Sequence, residues 1–357
     1  MNDRYKWFEE NAVFIVWYKK NLRKLPWRET KDPYLIWISE IILQQTRVIQ
    51  GKEYYLEFTK RFPKVHILAE ASQEEVLKIW QGLGYYSRAR NLHETAKEIM
   101  TRFSGQFPQK YEDILSLKGI GHYTAVAIVS IAWNQPYPVV DGNVFRVLGR
   151  LFAVDTPADT VKGKKLYTEL ARRIMNPEQP GLHNQAVMEF GALQCIPKNP
   201  DCGRCPLKDR CMGYAGGKPQ QFPVKLRKAK TRDRYFQFFY IIYNNAYTYL
   251  HHRNEKDIWN GLFEFPLIET THSTDFAKLK ETDEFKKLFP PDSHAVFTSD
   301  KSDIKHILTH QVLYATFYKV EIRTESKVLK NYLRIPLQDL INYPIPRLIH
   351  KYLSDMA

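Results

Sequence analysis

All four cysteines of this chain lie within 17 residues: Cys195, Cys202, Cys205 and Cys211, spaced C-x6-C-x2-C-x5-C. Two disulfides inside so short a loop would do little for a chain of 357 residues, because a cross-link that closes a short loop removes little chain entropy, and a reducing compartment would open them. Four thiolates around one inorganic centre explain the spacing better. Zinc and iron–sulfur clusters both take four cysteines. Gaps of six, two and five fit the paired hooks of a zinc ribbon poorly and favour an iron–sulfur cluster, with zinc as the alternative.

The rest of the chain must build a scaffold for that loop. A hydrophobic content of 44% with 14% aromatic residues is enough for packed cores, and the length suggests two domains. Fifty-three Lys and Arg against 39 Asp and Glu leave a net charge of +14, which favours a polyanionic partner, since each neutralised phosphate releases a counterion. The longest apolar stretch, residues 125–133, is about half of what a membrane-spanning helix needs. Residues 1–20 mix acids with bases and show no small-residue cleavage site, so no secretory signal is expected.

Apolar periodicity predicts helices over residues 7–20, 33–50, 74–80, 87–103, 111–117, 124–132, 144–151, 162–175 and 183–193. In the second of these, Ile38, Ile41, Ile42, Gln45 and Ile49 share one face, and Glu40, Gln44 and Arg47 form a polar stripe opposite. Asp141 is a good N-cap for the stripe of Val144, Val147, Leu148 and Leu151. After Cys211 the character changes. Gly216-Gly217, Pro219 and Pro223 mark a linker, and residues 218–234 hold seven basic residues against Asp233. Strand-forming runs at 235–243 and 246–251 flank the hairpin signal Asn244-Asn245. A further strand is expected at 313–322, with helices at 276–288 and 346–354. The architecture expected is a mostly α domain over residues 1–215, a basic linker over 216–231 and an α+β domain over 232–357.

Gly119-Ile120-Gly121 turns the chain between two helices and exposes backbone N–H groups where the second begins. Such a corner can hold a phosphate, although a plain helix–helix turn would look the same.

This hairpin, the segment Val139-Val140-Asp141-Gly142-Asn143-Val144 and the cysteine spacing together resemble the endonuclease III superfamily of DNA glycosylases. Leu25-Pro26-Trp27-Arg28, Ser39-Glu40-Ile41-Ile42-Leu43-Gln44-Gln45-Thr46 and Gly82-Leu83-Gly84-Tyr85-Tyr86-Ser87-Arg88 are similar to its MutY branch, which removes adenine. The resemblance runs over residues 5–215 and implies a helix–hairpin–helix glycosylase domain with an iron–sulfur loop. Beyond the linker, the run from Trp259 to Pro266 resembles, more loosely, a MutT-like (Nudix-fold) domain. It lacks the long acidic box of Nudix hydrolases, so it is expected to recognise DNA rather than cleave nucleotides.

The resemblance implies base-excision repair: hydrolysis of the N-glycosidic bond of adenine mispaired with 8-oxoguanine or guanine. Glu40 matches the general acid that protonates N7 of the flipped adenine. Asp141 matches the carboxylate that stabilises the oxocarbenium ion. Tyr123 stands where strand-cleaving relatives carry a lysine; a phenol forms no Schiff base, so the enzyme is expected to be monofunctional. Arg23, Leu25, Trp27, Arg28, Gln185 and Glu189 would line the adenine pocket. Gln45 and Tyr85 would wedge into the duplex with Leu83 beside them, and Thr46 would contact the DNA, with Gly119, Gly121 and His122 on its backbone. Thr309 and His310 would meet 8-oxoguanine, after Leu308 where the family has an aromatic residue. Cys195, Cys202, Cys205 and Cys211 would hold one 4Fe–4S cluster. The expected partner is double-stranded DNA carrying A:8-oxoguanine or A:G, with no membrane, for a monomer of the bacterial cytoplasm associated with the nucleoid. Two other functions compete: an endonuclease III-like glycosylase/lyase, opposed by Tyr123 and the extra domain, and a non-catalytic lesion sensor, opposed by Glu40 and Asp141.

Overall fold

A computed structural model describes residues 12–226 and 231–356, apart from the side chains of residues 299, 300, 302 and 303. The chain forms two compact units, Met1–Glu70 with Asn91–Arg227 and Ala71–Arg90 with Lys228–Ala357. Residues 71–90, expected with the first domain, therefore group with the second. Much of the expected linker belongs to the first unit: Arg150 Nε donates to Pro219 O (2.9 Å), Ala158 N to Val224 O (2.9 Å) and Leu226 N to Asp159 Oδ1 (3.1 Å). Linker residues 227–230 lie outside the described residues, as do residues 7–11 of the first predicted helix.

In chain order the helices are α1 (Ala12–Asn21), α2 (Pro33–Leu43), α3 (Val48–Arg61), α4 (Val65–Glu70), α5 (Gln73–Ile79), α6 (Ser87–Arg102), α7 (Tyr111–Ser116), α8 (His122–Trp133), α9 (Gly142–Leu151), α10 (Val161–Ile174), α11 (Pro180–Leu193) and α12 (Met212–Ala215). Helix α5 and the first turn of α6 belong to the second unit and the rest to the first. Helix α8 is the pivot of the first unit. Thr124 to Ile131 are all buried, and α2, α7 and α11 pack on it. Beside it, Phe14 and Tyr18 of α1, the Val144/Val147/Leu148/Leu151 stripe of α9, Tyr167 and Leu170 of α10 and Phe190 of α11 share one core. Each such side chain contributes roughly 1.5–3 kcal/mol by leaving water.

One expectation fails in a way that matters for function. The helix predicted over 33–50 is two helices, broken at Gln44–Arg47, where Gln45 takes φ +58°. No Gly or Pro marks the break, so helix propensity is overridden by packing. Glu40, Gln44 and Arg47 consequently form no polar stripe. Seven neighbours of Glu40 in α2, from Tyr34 to Ile42, are buried with it, while Ile49, expected on the apolar face, is 85% exposed.

The second unit is built on a mixed sheet of β1 (Arg232–Tyr243), β2 (Tyr247–His252), β3 (Phe263–Glu264), β4 (Leu267–Thr270), β5 (Val296–Ile307), β6 (Gln311–Ile322) and β7 (Leu333–Pro336). The main path runs β3-β2-β1-β6-β5, with β4 on β1 and β7 on β2. Strands β1 and β6 are parallel from Arg232↔Gln311 to Tyr243↔Ile322, and β5 is antiparallel to β6. Asn244 and Asn245 take φ +48° and +51°, the left-handed pair a tight β1–β2 hairpin requires. The helix predicted over 276–288 is split into α13 (Phe276–Glu281) and α14 (Asp283–Leu288), because Thr282 Oγ1 accepts from Phe285 N (3.3 Å) and caps a new start. The last helix, α15, is Arg347–Ser354. No helix among the described residues is long and apolar enough to cross a membrane.

Candidate active site

Helix α2 places Glu40 deep in the first unit, 8% exposed, at the wall of a cavity of about 340 Å³. Burial disfavours its charged form and pushes its pKa up to about 7, against a hydrogen bond from Tyr123 that pulls it down. Tyr123, in the first turn of α8, also approaches Met188 Sδ at 3.6 Å. Burial, with Glu40 and Asp141 nearby, holds its phenol well above the ordinary range. The third group is Asp141. Its Oδ1 accepts from Asn143 N (2.9 Å) and Val144 N (2.8 Å), capping α9, and its Oδ2 accepts from Asn143 Nδ2 (2.7 Å). Burial raises the pKa of Asp141 while these donors oppose the rise. All three side chains line the one cavity. Two carboxyls and a phenol in a dry site can divide acid and anion roles between them.

The far wall carries a charged clamp. Glu189 has a fully buried side chain. Its Oε1 accepts from Arg23 N (3.1 Å) and Nε (2.8 Å), and its Oε2 from Arg23 Nη2 (2.5 Å) and Arg28 Nη2 (2.7 Å). Burial would raise its pKa, but the arginines hold it down at about 2. Both carboxylate oxygens are thus committed to the arginines, and one donor left in this wall is Arg28 Nη1, buried without a hydrogen-bond partner. Gln185 Oε1 accepts from Tyr18 Oη (3.3 Å). Leu25 and Trp27, 6% and 7% exposed, complete the apolar part of the wall. All six residues expected around the base line the cavity, together with Gln44, Gln45 and Thr46.

Asp141 is tied to the cysteine loop. Arg146, one turn into α9, donates through Nη2 to Asn143 Oδ1 (2.8 Å) and through Nε to the carbonyl of Cys195 (2.7 Å). Gly191 makes this closeness possible: a Cβ there would stand 2.7 Å from Asn143 Cβ. Cys195, Cys202, Cys205 and Cys211 line a second, smaller cavity and are unpaired as disulfides. Buried Arg150 spans this loop, donating to the carbonyls of Ile196 (2.7 Å) and Pro197 (2.9 Å) and to Cys195 Sγ (3.4 Å). Among the described residues no three His, Cys, Asp or Glu side chains are placed around a single ion. The four cysteines nonetheless line this one cavity together.

At the hairpin, Gly119 takes φ +74° and approaches Asn91 so closely that a Cβ would stand 2.7 Å away, which restricts the position to glycine. Gly121 precedes α8 without a side-chain cap, and exposed His122 bonds Tyr111 Oη through Nδ1 (2.7 Å). In the second unit, Leu83 is buried and Tyr85 is 45% exposed at φ +50°. Gln45 and Tyr85 are thus both exposed non-glycine residues held at positive φ, a strained state that costs about 1–2 kcal/mol and clusters at functional sites. Thr309 and His310, expected to meet 8-oxoguanine, stand exposed in the turn between β5 and β6, with Thr309 Oγ1 2.8 Å from Tyr85 Oη.

Three family models match the chain: the HhH-GPD superfamily of base excision DNA repair proteins over residues 38–174, the iron–sulfur binding domain of endonuclease III over 195–211, and a NUDIX domain over 237–355. The adenine DNA glycosylase of Buchnera aphidicola subsp. Baizongia pistaciae is 36% identical over 303 residues, covering 85% of this chain and 83% of the relative. That of Buchnera aphidicola subsp. Schizaphis graminum is 38% identical, covering 74% and 76%. The chain belongs to the adenine DNA glycosylases. It is therefore a DNA N-glycosylase of base-excision repair with an iron–sulfur loop at its cysteines. Among solved structures, a thermostable thymine-DNA glycosylase superposes with a TM-score of 0.55 at 28% identity, over 60% of this chain and 98% of that one. Endonuclease III trapped on DNA shares the fold, with a TM-score of 0.53 at 20% identity over 61% and 99%.

The sequence reading of this glycosylase missed Asn143, Arg146 and Met188. Asn143 stood inside a quoted motif without a role. The Asn143/Arg146 pair at i, i+3 was a signal for a shared helix face; nothing in the sequence pointed to Met188.

Proposed function

We propose that this glycosylase removes adenine opposite 8-oxoguanine, or opposite guanine, with Glu40 as general acid. The observation that carries the proposal is a buried Glu40, its pKa lifted to about 7, in one cavity with Asp141 and Tyr123. A carboxyl of that pKa is substantially neutral near pH 7 and can donate a proton. Glu40 gives its proton to N7 of the extruded adenine, and the C1′–N9 bond breaks with its electron pair going to the base. The Asp141 carboxylate faces the sugar cation, whose charge it offsets. Water adds at C1′ and returns a proton to the Glu40 carboxylate, leaving adenine and an abasic site. The buried Arg28 Nη1 supplies a donor for a ring nitrogen of the base, and the Arg23/Glu189 pair fixes Arg28. Extruding the base costs a few kcal/mol; Gln45 and Thr46 at the cavity fill the space it leaves, and Tyr85, with Leu83 beside it, contacts the duplex.

Tyr123 provides no amine, so the enzyme is monofunctional. The four cysteines would hold a 4Fe–4S cluster, which would order the 195–211 loop, and Arg146 links that loop to Asn143 and through it to Asp141. Phosphates dock on the amides at Gly119–His122, and Thr309 with His310 reads the oxidised base, the enzyme acting on duplex DNA as a monomer. The test is single-turnover adenine release from A:8-oxoguanine and A:G duplexes with borohydride present. Release without a trapped protein–DNA adduct is expected. A trapped adduct at stoichiometric yield would overturn the monofunctional assignment, and absence of adenine release would overturn the mispair.

A further inference from the structure

The turn that carries Thr309 and His310 is held from within the sheet by residues to which no role has been given. Leu308 N donates to Gln311 O (2.8 Å), closing the turn, and Arg232 N at the start of β1 donates to His310 O (2.9 Å). Arg234, two residues along β1, has a side chain only 9% exposed, yet it is fully engaged. Nε and Nη2 grip both oxygens of Glu269 on β4 (2.7 Å each), and Nη1 donates to Asp257 Oδ1 (2.9 Å) and to Gln311 Oε1 (3.1 Å). Its guanidinium lies 4.8 Å over the Phe236 ring. Asp257 in turn accepts from Arg253 Nη2 (2.9 Å), and Arg253 pairs with buried Glu264 (2.8 Å). A planar fork fixed at this many points has almost no freedom. Desolvation of the buried guanidinium takes back part of what these pairs gain, so the network's stronger effect is on geometry, and Gln311, next in the chain to His310, is its member at the turn. On the other side of the turn, Tyr85 Oη meets Thr309 Oγ1.

We propose that Gln311, anchored by Arg234, is a positioning residue that holds Thr309 and His310 in the orientation from which they distinguish 8-oxoguanine from guanine. This rests on the reading of Thr309 and His310 given above. The alternative is that Arg234 and Gln311 serve only the stability of the sheet.

The test is Gln311→Leu in the full-length protein, which removes the amide but keeps much of its volume and leaves the Glu269 and Asp257 contacts of Arg234 intact. The preference for A:8-oxoguanine over A:G, measured as the ratio of binding constants and single-turnover rates at fixed salt, should fall about tenfold. The thermal midpoint and the rate on A:G should hold. Gln311→Glu keeps an oxygen to accept from Arg234 and should restore the preference. A preference unchanged in Gln311→Leu but lost in the Thr309→Ala/His310→Ala double variant overturns the proposal, because the turn then reads without this support. A preference unchanged in both overturns the reading on which it rests. A preference lost together with thermal stability, and not restored by Gln311→Glu, assigns the network to stability alone and also overturns it.

Discussion

In the first unit the carboxyl proposed as the general acid is buried. Glu40 is 8% exposed on a helix buried on nearly every side, and its surroundings shift its proton affinity toward neutral pH. In the second unit the residues assigned to reading the opposite base, Thr309 and His310, are exposed, and what is buried is the Arg234 side chain, held by Glu269 and Asp257. The proposed chemistry uses a buried group whose pKa is set by desolvation, whereas the proposed recognition uses exposed groups whose orientation is set by a buried arginine. The same residue types, carboxylates and arginines, serve both ends according to which member is exposed. Disturbing the first unit should therefore change rate, and disturbing the second should change preference.

The largest effect should come from Glu40→Gln. The amide keeps the shape but has no proton to give, so single-turnover release should fall at least roughly 10²–10⁴-fold, while binding to the mispaired duplex, measured by titration, changes little. Next is Arg146→Gln, which cuts the link from the Cys195 carbonyl to Asn143 and removes a positive charge that favours the ionised form of Asp141. An outer partner of this kind is worth roughly 10–100-fold, and the loss should appear in the chemical step on both duplexes alike. If it appeared in the preference instead, the separation of the two units' roles would fail. The Thr309→Ala/His310→Ala variant should lose about 1–3 kcal/mol of affinity for A:8-oxoguanine, with a smaller change on A:G, in parallel equilibrium titrations. An equal loss on both would mean that the turn only grips DNA.

Much of this was legible in the chain. The cysteine spacing, the α9 stripe behind Asp141 and the glycines of the hairpin are local patterns, each with a physical requirement that a sequence displays directly. The break between α2 and α3 was not, because Gln44 to Arg47 are tolerable helix residues and only packing forces Gln45 to φ +58°. Its consequence, a buried rather than solvated Glu40, was hidden with it. The placement of residues 71–90 in the second unit rests on bonds such as Arg90 Nη1 to Asn260 O (2.5 Å) and Tyr86 Oη to Ile345 O (3.4 Å), between residues 170 and 259 positions apart. No periodicity carries that information. Arg234 and Gln311 were invisible for the same reason, since their bond spans 77 positions.

The central claim is that adenine leaves because a buried, neutral Glu40 protonates it, and the pH dependence of single-turnover release tests this most directly. The pKa of Glu40 is raised to about 7, so the acid form dominates below that value and is lost above it. The rate on A:8-oxoguanine should therefore hold on the acid side and fall as pH rises through about 7, tenfold per unit beyond it, while Glu40→Gln gives a slow rate without that fall. A native rate that stays level through the same range, with Glu40→Gln retaining substantial turnover, would contradict the account.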